Sequence, residues 1–283
     1  MSATFGLLFG ATVWGVIWYP YRLLEQAGIS GAAASVATYA VALLLGLMIF
    51  APQARHPLRI RRSFVLLALA AGWTNLSYVL AVIEGEVMRV LLLFYLAPLW
   101  TLLLARLLLD ERPGRRGLFV IFLALSGAFV MLWQPEQRFP LPRNTAEWLG
   151  LSSGIGFALT NVLTRWAEHL SLGEKSFAIW VGVTVLALIF LPFEHAPLPD
   201  WGRISAANWL LLAGVGVFLM LTTLMVQYGL THTLATRAVV IFLFELVVAA
   251  ISAYLLAGEA LGVREWVGGM MIVAASVFAP HNE

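Results

Sequence analysis

The chain has 283 residues, of which 61% are hydrophobic and only 11% charged, with a mean hydropathy of +0.89. Soluble domains are about half apolar and about one-quarter charged, so this composition excludes a chain that hides its apolar surface from water. The net charge of +2 is too balanced to suggest nucleic acid, and the absence of cysteine excludes disulfides, thiolate metal sites and cysteine nucleophiles.

A membrane-spanning helix needs about 20 mostly apolar residues. Apolar runs bounded by charges or Pro/Gly clusters predict spans at 4–24, 31–51, 63–83, 87–108 and 117–133. Five more are predicted at 146–168, 174–192, 206–228, 234–256 and 264–280. The expected fold class is therefore an all-α integral membrane protein of ten transmembrane helices with short loops. The first residues, MSATFGLLFGATVWG, lack the basic flank and cleavage site of a secretory signal and read as the first span. Basic residues concentrate on one side. Arg55, Arg59, Arg61, Arg62, Arg106, Arg112, Arg115, Arg116, Arg165, Lys175 and Arg237 share a face against Arg22, Arg89, Arg138, Arg143, Arg203 and Arg264. That bias predicts a multi-pass protein of the plasma (inner) membrane with both termini cytoplasmic.

The polar, proline-rich stretch QPEQRFPLPRN (134–144) divides the chain into units 1–140 and 141–283. The halves resemble each other. Trp14–Gly15, followed by Arg22 and Glu25, recurs as Phe157–Ala158, followed by Arg165 and Glu168. LLLARLLLDERP (102–113) recurs as AISAYLLAGEAL (250–261), setting Glu111 against Glu259. Five spans per half force the second copy to insert upside down, and inverted repeats of this kind place a substrate site near mid-membrane.

Polar groups in hydrocarbon are costly unless they pair or line water, so they mark candidate sites. In span one, Trp14 sits deep, Pro20 is a candidate hinge, and Trp18 and Tyr19 read as an interfacial aromatic belt. In span three, Trp73, Asn75 and Tyr78 cluster, with Asn75 and Tyr78 on one helical face. They either hold a substrate or bind neighbouring helices together. Span four carries Tyr95 and Pro98, the latter a second hinge candidate that opens the backbone near Phe94. Span six contributes Thr160 and Asn161, and span eight Thr223, Gln227 and Tyr228. Gln227 lies near a predicted helix end, where solvation explains it equally well. Glu245 lies halfway along span nine with no charged neighbour in its helix. It must be neutral, paired or facing a wet cavity. It reads either as a substrate or proton site or as a structural bond to a neighbouring helix. Glu111 and Glu259 read as loop or cap residues. His56, His169, His195, His232 and His281 show no metal-ligand spacing, so no metal and no cofactor are expected.

The WG of span one, the run LAPLWTLLLARLLLDERP (96–113) and the run FLFELVVAAISAYLLAGEALGVREWVGG (242–269) resemble the drug/metabolite transporter superfamily with paired EamA-type five-helix repeats. Pro98, Glu111, Gly258, Glu259 and Gly268 fit its pattern of an aliphatic–Pro step, a Gly–Glu terminus and a later Gly. Leu246, where the family often has proline, and Asp110, where it has glycine before the glutamate, depart from it. The first departure weakens the kink expected in span nine. The aromatic-rich spans are similar in character to YddG-type exporters of aromatic amino acids. The resemblance implies a secondary transporter that exports small amphipathic metabolites, amino acids including aromatic ones, by alternating access between the repeats, with a monomer sufficient. Purines, drugs and cationic amphiphiles are the alternative cargo, since aromatic rings also hold cations. A channel or membrane-embedded enzyme is less favoured: no HExxH, GxSxG, aspartate cluster or Walker lysine occurs.

Overall fold

The computed structural model describes residues 2–50, 61–85, 87–133, 141–193, 199–258 and 260–278. Arg55, Arg59, Arg138, Glu259 and most of the 134–144 interval lie outside them. The described residues form twelve α-helices and no strand. They are α1 (Ala3–Gln26), α2 (Gly31–Phe50), α3 (Arg62–Glu84), α4 (Val87–Phe94), α5 (Ala97–Leu108) and α6 (Arg115–Leu132). The rest are α7 (Thr145–Trp166), α8 (Leu172–Phe190), α9 (Ala206–Thr231), α10 (Ala235–Phe242), α11 (Phe244–Ala257) and α12 (Val263–Phe278).

Polar caps start several of them. The side chains of Ser2, Asn144, Ser171 and Ser205 each accept from a backbone N–H in the first turn, and Ser171 with Glu174 forms a capping box. Inside the helices, hydroxyls turn back on their own backbone. Thr12, Thr74, Ser77 and Thr231 donate to the carbonyls of Leu8, Ala70, Trp73 and Gln227. This satisfies a donor where no water is available.

Eight segments are long and apolar enough to cross a membrane: α1, α2, α3, Arg89–Leu108, α6, Leu172–Phe193, α9 and Ala235–Ala257. Two of these join a helix pair that the sequence predicts as single spans, α4 with α5 and α10 with α11. Helix α7, with Glu147, Asn161 and several Ser and Thr, falls short by composition, as does α12 with its 16 residues.

Treating α4–α5 and α10–α11 each as one broken rod, the packing has a pattern. Helix α3 lies on α7 and α8, and α9 lies on α1 and α2. The rod α4–α5 lies along α7, and α10–α11 along α1. Helices α2 and α8, α6 and α12, and α5 and α10 pack in pairs. Glycine permits close crossings: a Cβ on Gly127 of α6 would stand 2.7 Å from the Gly268 carbonyl oxygen of α12, and one on Gly268 would meet the Gly127 carbonyl. Such small residues substitute close backbone packing for the hydrophobic drive that lipid removes.

Each rod also ends alike. Gly258 after α11 takes a left-handed backbone, φ 70°, and Asp110 after α5 takes the same conformation, φ 52°. At Asp110 the side chain carries the strain that a glycine would avoid.

Candidate functional site

The two rods break at corresponding places. After Phe94 the chain turns through Tyr95 and Leu96, with tightened bonds from Leu96 N to Leu93 O (3.3 Å) and Leu99 N to Leu96 O (2.9 Å). In the second rod, Leu243 N donates to Val240 O (3.2 Å) and Leu246 N to Leu243 O (3.0 Å), a constant offset of 147 residues. Pro98 occupies the first turn of α5, where its missing N–H costs nothing. The second break has no proline. The weaker kink expected from Leu246 is thus corrected: the helix parts at Leu243 without one.

Between the breaks lies an aromatic layer. Trp14, midway along α1, meets Phe242 at 5.3 Å and Phe157 at 6.0 Å between ring centroids. Phe157 meets Phe242 at 5.5 Å and Phe94 at 5.6 Å. Phe94 in turn meets Tyr78 at 5.2 Å and Tyr95 at 5.1 Å. Six rings from α1, α3, α7 and both breaks therefore form one connected surface. The edge-to-face and tilted arrangements are those that ring quadrupoles favour. Trp14, Tyr78, Phe94 and Phe157 are only half-buried, so this surface borders accessible space.

Glu245 joins it from the first turn of α11. The Tyr95 and Tyr78 hydroxyls both lie close enough to its carboxyl to interact with it, Tyr95 the more directly. Leu243 and Leu246, on either side of Glu245 in the chain, pack in one cluster with Tyr95. Phe244, like Trp14 and Phe157, packs against the cluster that contains Ile241 and Phe242. The carboxyl is half-buried and shares no ion pair among the described residues.

The other predicted residues divide. Asn75 shares with Tyr78 the face of α3 opposite the exposed Leu66 and Trp73. Trp73, 40% exposed, continues the outward apolar stripe of Leu66 and Leu69 and stands apart from the aromatic layer. Asn161 follows Phe157 by one helical turn and is 2% exposed, and its Nδ2 has no partner among the described residues. One turn further, the Thr164 hydroxyl donates to Gln227 Oε1 at 2.9 Å. Gln227 is 1% exposed, so solvation at a helix end is not its environment: α9 continues to Thr231 and carries it inside. The hydroxyls of Thr160 and Thr223 donate to Gly156 O and Leu219 O of their own helices. Tyr228 turns to His232, 4.4 Å away, not to the aromatic layer. Pro20 sits within a continuous α1. Trp18 is more than a belt residue, since its Nε1 donates to Ser252 Oγ, which itself donates to Gly15 O. Phe94, Phe157 and Phe242 were not singled out by polarity, because a phenylalanine in an apolar span carries no polar signal. In the repeat expected from the sequence, Phe157 is nonetheless the counterpart of Trp14.

The two ends of the bundle differ in how the rods meet. Helices α5 and α10 pack together at the end where α1 begins, whereas contacts between α4 and α11, beyond the breaks, are few. At the α5–α10 end, Glu111 pairs with Arg165 and accepts from Ala235 N at 3.0 Å. Arg165 also donates to Thr231 O and Thr233 O. Lys175, expected beside a loop, is 1% exposed, with Nζ on Thr231 Oγ1 at 3.0 Å. At the opposite end, Arg89 and Glu147 form a buried two-point pair (2.7 and 2.9 Å) that fixes α4 to α7. Half-buried aromatic rings with one carboxyl beside them are an arrangement suited to an amphipathic small molecule. Among the described residues, no group of His, Asp and Glu is arranged to hold a metal ion.

The chain is 28% identical over 222 residues to an uncharacterized transporter of Archaeoglobus fulgidus, covering 77% of this chain and 76% of the relative. Its fold matches a solved crystal structure at a TM-score of 0.78, covering 98% of this chain and 96% of the other, with 15% sequence identity. The model of the EamA-like transporter family matches residues 1–133 and 144–279, which is nearly all of the sequence, and the chain belongs to that family.

Proposed function

We propose that this protein is a secondary carrier that exports amphipathic small metabolites, in the first place amino acids including aromatic ones, by alternating access at the hollow between two inverted five-span repeats. Helices α7 and α12 serve in this reading as the sixth and tenth spans, packed against α3 and α6. Two matched family segments and the pairing of helix contacts across the halves support the repeat. With both termini cytoplasmic in the plasma membrane, as the arginine bias favours, the mouth of the hollow faces outward. Substrate side chains pack against Trp14, Tyr78, Phe94 and Phe157. Glu245 receives the ammonium group, and Asn161 and Asn75 supply amide hydrogen bonds.

The single observation that carries this reading is the carboxyl of Glu245 at an aromatic surface beside half-accessible space, midway along the bundle. Such a group is expensive in a membrane interior and marks a functional site by default. Purified protein in liposomes loaded with phenylalanine should show saturable counterflow of labelled phenylalanine. Absence of counterflow across amino acids, purines and organic cations would refute the carrier.

One observation favours a second cargo. Among the described residues at the aromatic layer there is an acid and no Lys, Arg or His to meet a substrate carboxylate. Rings and one carboxylate are the recognition chemistry of an organic cation. Phenethylamine competing better than phenylalanine for the same counterflow would select that reading.

A further inference from the structure

At the α5–α10 end, one carboxylate is shared across the seam between the halves. Glu111 follows α5, in the first matched segment; Arg165 ends α7 and Ala235 starts α10, both in the second. Helix α10 has no cap of its own, because its N-cap residue is Leu234. Glu111 caps it from the other half, satisfying a first-turn N–H and placing negative charge at a helix N-terminus. Arg165 completes the crossing by donating to the carbonyls of Thr231 and Thr233, which precede α10. Behind these groups Ala105, Val162 and Ala235 close into a small apolar plug from α5, α7 and α10.

The backbone is bent to aim this carboxylate. Asp110 holds a left-handed conformation, φ 52°, and Glu111 N reaches back to Ala105 O at 3.2 Å. Strain of this kind persists only where the surroundings enforce it. The opposite end differs. Arg22, the repeat counterpart of Arg165, is exposed there and makes no ion pair among the described residues; Glu259, the counterpart of Glu111, lies outside them. The Arg89–Glu147 pair is not equivalent, because it joins α4 to α7, which pack along each other anyway, and does not reach across the hollow.

We infer that Glu111, shared by Arg165 and the Ala235 N–H, is the latch that holds the inner end of the hollow shut, and that opening this end requires its release. The inference deepens the alternating-access reading and rests on it. Its test does not need a substrate.

The chain contains no cysteine, so a single introduced thiol is a clean reporter. Ala105→Cys places one in the plug, where Ala105 is 0% exposed, and Ala33→Cys places one in the α2 core at the opposite end, 1% exposed. Both should react slowly with a maleimide in purified protein. Adding Glu111→Ala should accelerate labelling at Ala105→Cys at least about tenfold, the loss expected for one charge-assisted hydrogen bond, and leave Ala33→Cys unchanged. An unchanged rate at Ala105→Cys would overturn the latch. Equal acceleration at both positions would overturn it too, since Glu111 would then hold the whole fold and not the seam. A carrier that works normally with Glu111→Ala and unchanged labelling would sink the latch alone. Loss of all counterflow in the unmodified protein would sink the carrier reading and leave the labelling result standing.

Discussion

The two broken rods differ more in chemistry than in shape. Both part at the same offset, with the same tightened turns, yet Pro98 stands in one where Glu245 stands in the other, and Tyr95 where the other has Phe242. A proline explains the first break locally, since it cannot donate and crowds the preceding turn. It cannot explain the second, whose residues VVIFLFELVV are good spanning-helix formers. Packing is the common factor. Tyr95 and Leu92 from one break, and Val240, Leu243 and Leu246 from the other, lie in a single cluster clamped by α6 and α12. What the first turn of each second helix does then diverges. In α5 it accommodates a proline that lacks a donor, and in α11 its N–H groups and dipole favour a carboxylate. One break serves shape and the other serves charge.

The sharpest way to break this comparison is Glu245→Gln. It keeps the shape of the second break and removes its charge, so uptake efficiency for amines or amino acids should fall on the order of a hundredfold, with thermal stability nearly unchanged. Counterflow with a parallel melting curve measures both. A loss of less than about threefold would reduce Glu245 to a structural bond.

Tyr95→Phe probes the same polar diagonal more gently. It turns the first break into a closer copy of the second, which has Phe242, and deletes the hydroxyl that interacts most directly with Glu245. Uptake should fall about tenfold while the ring contact with Phe94 survives. An effect as large as that of Glu245→Gln would mean that the tyrosine, not the carboxyl, faces the substrate.

Hydropathy makes most of the helical layout legible, because backbone groups in lipid must bond within their own segment. What it hides is tertiary. The break at Leu243 leaves no local mark, and neither does the interaction between Glu245 and a tyrosine on another rod. Polarity picked out Thr160 and Thr223, but a hydroxyl in a helix can bond its own backbone, as both do. Trp73 was drawn in by its neighbours in sequence, although its helical period puts it with Leu66 and Leu69. Lys175 counts in the sequence only as one of the basic residues of one face, but its long stem carries the ammonium inward to Thr231. The phenylalanines were invisible one at a time. They become legible through the repeat, which sets Phe157 against Trp14 and Phe242 against Tyr95.

The smallest expected effect tests the claim about packing itself. If neighbours impose the break, Pro98→Ala should leave it in place, because α6 and α12 still hold Tyr95 and Leu92 against Leu243 and Leu246. Alanine restores an N–H in a first turn, where no intrahelical acceptor is lost, and gives the unfolded chain more freedom. The protein should therefore melt slightly earlier, by about 0.5–1 kcal/mol of stability, with uptake reduced less than about threefold. A loss beyond about 2 kcal/mol, or transport as poor as in Glu245→Gln, would assign the first break to its proline and leave only the second to packing.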